Sequence, residues 1–161
     1  MRLMYMKPKL HDLSQGSRIA YVRQFRHMSQ DEVSDKLGIT GECKRRTMTR
    51  YEKGGRNPKD ERTMEIAHIL NVNINAIKHY DFKEPTDIIY FLMWMEEIIP
   101  NYMIDISKVA IVDEKYASLI YKSIDSWNIM RQKRLRREIT FEEYTEWKLN
   151  FDIKEETKWM K

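Results

Sequence analysis

One cysteine, Cys43, stands among 161 residues. That excludes an internal disulfide and fits a reducing compartment, so a cytoplasmic location is expected. Five glycines and four prolines are too few for a loop-rich β protein and argue for helices. No apolar run reaches the roughly 18–20 residues of a membrane span. The longest stretch, Ile88 to Pro100, is broken by Glu96 and Glu97. Met1–Leu13 lacks the continuous apolar core of a secretion signal. His11, His27, His68 and His79 are not spaced as a zinc ligand set, so no metal and no cofactor are expected. A Gly-rich phosphate loop, a His-Glu-x-x-His pair and a nucleophile elbow are all missing. The carboxylate pairs Glu96-Glu97 and Glu142-Glu143 are adjacent, so their members point about 100° apart on a helix and do not converge. No catalytic residue is expected, and the chain does not read as an enzyme.

Hydrophobic residues make up 42% of the chain, enough for one compact domain or two small ones. Charge is unevenly spread. Residues 16–80 hold thirteen Lys/Arg against eight Asp/Glu, a net of +5, while residues 81–161 hold thirteen against sixteen, a net of −3. The positive field of the first half suits a polyanion. It is densest between Lys44 and Arg56, where six cations face one acid, Glu52. Cys43 beside this run reads as an ordinary loop cysteine.

Five short helices are expected over residues 16–80. Ser17–Arg26 spaces Ile19, Ala20, Val22 and Phe25 along one face. Ser29-Gln30-Asp31-Glu32 is a capping box that opens a second helix burying Val33 and Leu37, and Gly38 closes it. A polar stretch leads to a third helix, from about Arg45 to Lys53. There Met48 and Tyr51 share the inner face, while Arg46, Thr49, Arg50 and Lys53 lie outside. Asp60–Leu70 forms a fourth helix, and Asn73 caps a short fifth.

The segments Gly16-Ser17-Arg18-Ile19, Ser29-Gln30-Asp31-Glu32, Leu37-Gly38-Ile39-Thr40, Arg50-Tyr51-Glu52-Lys53-Gly54, Arg56-Asn57-Pro58 and Leu70-Asn71-Val72 occur in this order. Together they resemble the XRE/Cro/C1-type, lambda-repressor-like helix-turn-helix regulators. The resemblance implies double-stranded DNA as the partner. It places the base readers at Arg45, Arg46, Thr49 and Arg50, and a phosphate contact at Gln30. Thr47, and Lys53, Arg56 and Lys59 following the third helix, are expected on the phosphates as well. It also implies a structural ion pair between Arg23 and Glu52, which accounts for an acid in a DNA-facing segment. In one respect the chain departs from the family pattern: Gly41 to Arg45 look like about five extra residues in the turn before the third helix.

A smaller, mostly helical domain is expected over residues 86–161, after an N-terminal arm at 1–15 and a DNA-binding domain at 16–82. Asp87–Ile99 is apolar almost all round and should be buried in the domain or in a dimer interface. Tyr102–Ile106 and Lys108–Val112 can pair as a short β-hairpin. Glu114–Arg136 reads as a long helix with Tyr116, Leu119, Ile120, Ile124, Trp127, Met130 and Leu135 near one stripe. Thr140-Phe141-Glu142-Glu143 is a second capping box, opening a helix that buries Tyr144, Trp147 and Phe151. The aromatic set Tyr90, Phe91, Trp94, Trp127, Tyr144 and Trp147 reads as core or dimer interface rather than as a ligand pocket. The expected function is a sequence-specific transcriptional regulator, a repressor, binding an inverted repeat as a homodimer through residues 86–161. The alternative is a protein-interaction module of antitoxin or anti-repressor kind that uses the aromatic C-terminal half.

Overall fold

Helices in this chain begin where a side-chain oxygen can take up an amide that the helix leaves unpaired. In the computed structural model, which describes residues 7–99 and 114–155, Ser14, Ser29, Asn73 and Thr140 each accept from a backbone N–H two or three positions on. At Ser29 and Thr140 the box closes: Glu32 and Glu143 accept from the cap residue's own N–H at 2.6 and 2.7 Å. The described elements are α1 (Gln15–Phe25), α2 (Gln30–Lys36), α3 (Cys43–Glu52), α4 (Asp60–Leu70), α5 (Ile74–Ile77), α6 (Pro85–Ile98), α7 (Glu114–Leu135) and α8 (Phe141–Leu149). All are helical, as a mainly α chain requires. The hairpin expected over Tyr102–Val112 lies outside the described residues. Among the described residues no helix is long and apolar enough to cross a membrane.

The chain divides into two compact units, Met1–His79 and Tyr80–Lys161. In the first, the core is built by Ile19, Val22 and Phe25 of α1, Val33 of α2, Met48 and Tyr51 of α3, Ile66 and Leu70 of α4, and Ile77 of α5. Helix α1 is buried along most of its length. It approaches α3 so closely that a Cβ on Gly16 would fall 2.2 Å from the carbonyl oxygen of Tyr51. Only glycine fits there. Residues ahead of α1 are tied to it: Leu10 is buried, and the N–H groups of His11 and Asp12 both donate to Ser17 Oγ, at 3.0 and 3.2 Å.

Three arginines close the ends of other helices, whose last carbonyls lack intrahelical donors. Arg18 is only 2% exposed. It donates to the carbonyls of Ala76 (3.2 Å) and Lys78 (2.8 Å) at the end of α5. Arg26 donates to Leu70 (2.7 Å) and Asn71 (2.8 Å) at the end of α4. Arg62 donates to Leu37 at 3.1 Å, just past α2. Sequence spacing gives no hint of these contacts, since donor and acceptor lie 25 to 60 positions apart.

In the second unit, α7 presents Ile120, Ile124, Trp127 and Arg131 as its buried seam, the spacing of one helical face. Leu135, expected on that stripe, is 70% exposed. The seam ends in a polar cluster. Arg131 Nε lies 2.8 Å from Glu96, and Lys148 Nζ lies 3.1 Å from Glu96 and 2.8 Å from Glu97. The two adjacent carboxylates therefore do converge, contrary to the expectation from their angular separation. Both are flexible, and the long Lys148 chain reaches in from α8 to meet them. Trp127 Nε1 donates to the Tyr144 hydroxyl (2.8 Å), which donates to Glu96 (2.7 Å). Burial, and then the charge of Glu96, push the Tyr144 hydroxyl far above the usual tyrosine range. Tyr90, Trp94, Trp127 and Tyr144 are buried, with Phe91 and Trp147 half-buried at the edge.

Candidate nucleic-acid interface

The candidate surface is built on α2, the turn after it, and α3. Gly38 (φ 69°) leaves α2 in a left-handed conformation that L side chains rarely adopt, and Gly41 (φ 76°) turns the chain again. The residues that look inserted do not form a longer loop. Cys43, Lys44 and Arg45 are the first turn of α3, which starts two residues earlier than expected. That turn is pinned to α2: Ser34 Oγ donates to the Lys44 carbonyl at 2.9 Å, and Lys44 Nζ sits 2.5 Å from Asp35. No side chain caps the start of α3 at Glu42, so these contacts to α2 hold it instead.

Position along α3 decides direction. Met48 (0% exposed) and Tyr51 (6%) face the core. Beside them Glu52 is the hub of a half-buried network. Arg23 grips its carboxylate with two donors, Nε at 2.5 Å and Nη2 at 3.0 Å, and uses Nη1 on the Met28 carbonyl at 2.7 Å. Gln30 Nε2 donates to Glu52 at 2.7 Å, while Gln30 Oε1 accepts from Thr49 Oγ1 at 3.0 Å. The network joins α1, the start of α2 and the end of α3, so it fixes the angle at which α3 is presented. A planar arginine fork on a carboxylate supplies both strength and direction.

Opposite Met48 and Tyr51, at about 200° around the helix, lie Arg46, Arg50 and Lys53, all exposed. With Arg45, Arg56 and Lys59, also exposed, they form a set of six cations. None of these six side chains makes a hydrogen bond or ion pair among the described residues. The contrast with Arg18, Arg23, Arg26, Lys44 and Arg62 is sharp, because those are held by internal partners. The net charge of the segment understates the division: some cations hold the fold and others are left to solvent.

The remaining expected contacts are placed differently. Arg45 borders a crevice with Arg23, Ser29, Gln30 and Asp31 at the start of α2, so it stands nearer α2 than the outer stripe. Thr49 is half-buried and turns its hydroxyl toward Gln30 and the Arg45 carbonyl. It is thus part of the network rather than of the outer face. Thr47 donates its one hydroxyl proton to the Cys43 carbonyl at 2.9 Å, and a phosphate offers only acceptors. Gln30 has one amide hydrogen on Glu52 and a second still to give. Arg56 and Lys59 line a crevice with Tyr51, Glu61 and Arg62 between α3 and α4.

Residues 19–77 match the family model described as Helix-turn-helix, a span that opens within α1 and closes with α5. No curated protein and no solved structure matches the chain.

Proposed function

We propose that this chain, whose residues 19–77 are a helix-turn-helix domain of the XRE/Cro/C1 type, is a sequence-specific transcriptional repressor. It lays α3 in the major groove of an operator. The observation that carries the reading is the outer stripe of α3: Arg46, Arg50 and Lys53 have no side-chain partner among the described residues, while the groups of α3 that hold the fold lie elsewhere on the helix. A bidentate arginine on guanine O6 and N7 is the commonest specific major-groove contact and discriminates by about 1–3 kcal/mol. Arg46 and Arg50 are the first readers. Arg45 and Thr49 read from the side nearer α2, Thr49 after turning from Gln30.

Phosphates are held by the second amide hydrogen of Gln30 beside the α2 amides, and by Lys53, Arg56 and Lys59. Thr47 joins them only if its hydroxyl leaves the Cys43 carbonyl. These contacts set register rather than sequence. One such domain makes too few contacts for tight binding, so a homodimer on an inverted repeat is proposed, with half-sites about one helical turn apart. Residues 86–161 supply the dimer surface, where Ile98 and Ile99 at the end of α6 are exposed. Occupancy of the operator then excludes polymerase. The competing reading, a protein-interaction module using aromatic residues, loses most of its support because Tyr90, Trp94, Trp127 and Tyr144 are buried.

Selection of bound duplexes from a random pool, with mass measurement of the complex, tests the proposal. A recurrent inverted repeat bound by two chains is expected. Arg46→Ala with Arg50→Ala should abolish the preference and leave the melting temperature unchanged. A double variant that still binds the selected duplex with wild-type salt dependence would sink the assignment of α3.

A further inference from the structure

We infer that the C-terminal end of α7 is a second nucleic-acid contact, one that grips the phosphate backbone without reading sequence. The inference rests on the DNA-binding reading above. Five cations fall within the seven residues Arg131–Arg137. Arg131 is turned inward onto Glu96. The other four point elsewhere: Lys133, Arg136 and Arg137 are exposed and Arg134 is partly so. The side chains of Lys133, Arg134 and Arg137 make no hydrogen bond or ion pair among the described residues. Arg136 reaches Glu138 only at 4.0 Å, with both side chains largely in solvent, a pairing that holds little. Without these four, residues 81–161 count nine Lys/Arg against sixteen Asp/Glu. Four of the thirteen cations of an acidic unit thus lie within five residues at one helix end.

A helix dipole favours cations in the last turn, which accounts for Lys133 and Arg134. It accounts less well for Arg136 and Arg137, which follow Leu135, the last residue of α7. Arg137 adopts φ 60°. Its N–H donates to the Arg134 carbonyl at 3.1 Å, and the Glu138 N–H donates to Lys133 at 2.9 Å. This is the paired arrangement that ends helices in a left-handed residue, where glycine is favoured. Arginine accepts the steric cost and adds a charge. The same two bonds fix the backbone from which the four cations extend. Residues 78–84 alone join α5 to α6. A weak backbone contact on the second unit is thus tethered within one chain to the α3 contact on the first.

The test uses the full-length chain and a duplex selected by the wild type, with affinity measured from about 50 to 300 mM salt, the range over which phosphate contacts are lost. Lys133→Gln, Arg136→Gln and Arg137→Gln together remove six cations from a two-chain complex and should flatten the slope of log affinity against log salt by roughly 5, near 0.9 per phosphate. The preference for the selected over a scrambled duplex should not change. A charge-matched control, Lys83→Gln with Lys122→Gln and Lys154→Gln, should keep the wild-type slope. Arg137→Gly alone should raise the melting temperature, by relieving the left-handed backbone, and still flatten the slope by about 2 for the two chains. An unchanged slope in the triple variant, or an equal loss in the control, would overturn the inference, as would a collapse of sequence preference. A wild type with no salt-dependent binding to any duplex would instead remove the DNA-binding reading itself.

Discussion

Replacing Gly16 by alanine sets two effects of opposite sign against each other. Helix propensity favours alanine over glycine within a helix by about 0.5–1 kcal/mol. Geometry opposes it. The added Cβ would meet the Tyr51 carbonyl oxygen at 2.2 Å and the Glu52 carbonyl oxygen at 2.8 Å, and neither is a side chain that can swing aside. To restore ordinary contact, α1 and α3 must separate by roughly 1 Å, loosening Met48 and Tyr51 in a close-packed core. Overpacking of this kind costs about 1–3 kcal/mol, so the steric effect wins. For a unit of this size, each kcal/mol lowers the melting temperature by about 4–8 °C. The two units can be followed separately, because Trp94, Trp127, Trp147 and Trp159 all lie in Tyr80–Lys161. Far-ultraviolet circular dichroism should show an earlier loss of helix, while tryptophan emission keeps its wild-type transition. Gly55→Ala is the matched control, since its Cβ would meet nothing closer than the Arg50 carbonyl at 3.7 Å. A Gly16→Ala protein that melts at or above the wild-type temperature would refute the reasoning.

Glu52→Gln should destabilise the first unit by about 3 kcal/mol in denaturant unfolding, because Arg23 and Gln30 lose a shared charged acceptor. Arg23→Met with Glu52→Met should cost less than Glu52→Met alone, and equal costs would show that the pair does not act as one. Glu32→Gln tests the capping box. The Ser29 N–H, then the Ser29 hydroxyl, hold the Glu32 carboxyl below its ordinary value. Its contribution is therefore full above the unfolded value, about 4.3, and fades as pH falls through the lower folded value. The gap in melting temperature between variant and wild type should narrow below about pH 4, and a gap constant from neutral to acid would contradict it. Lys148→Met removes the cation that Glu96 and Glu97 share and leaves Glu96 to Arg131 and the Tyr144 hydroxyl. A loss of about 3–5 kcal/mol should appear in the tryptophan transition, and a stabilised variant would mean that the cluster sets geometry rather than stability.

Features whose cause is local were legible from the chain. Both capping boxes, the Asn73 cap and the glycine at 38 depend on residues within a few positions of one another, and each sits where the pattern puts it. Inner and outer faces of α3 followed from the positions of Met48 and Tyr51 for the same reason. Features whose cause is distant were not legible. Nothing in the sequence near Arg18, Arg26 and Arg62 marks the carbonyls they close. Glu96 and Glu97 looked divergent because the residue that joins them is some fifty positions away. Arg131 occupies a place in the α7 seam that the stripe reserved for apolar groups, and its partner is again on another helix. The start of α3 was set by contacts of Lys44 with Ser34 and Asp35 across the turn, which outweighed the polar look of Gly41 to Arg45.

The free outer stripe of α3 also bears on how such a protein diversifies. Arg46, Arg50 and Lys53 take no part in the bonds that hold the helix, so exchanging them should shift stability by no more than about 0.5 kcal/mol. Arg23, Gln30, Glu52 and Gly16 keep the frame whatever side chains the stripe carries. If the stripe reads bases as proposed, new target preferences can be explored by drift at these three positions, with the folded population nearly constant at every step.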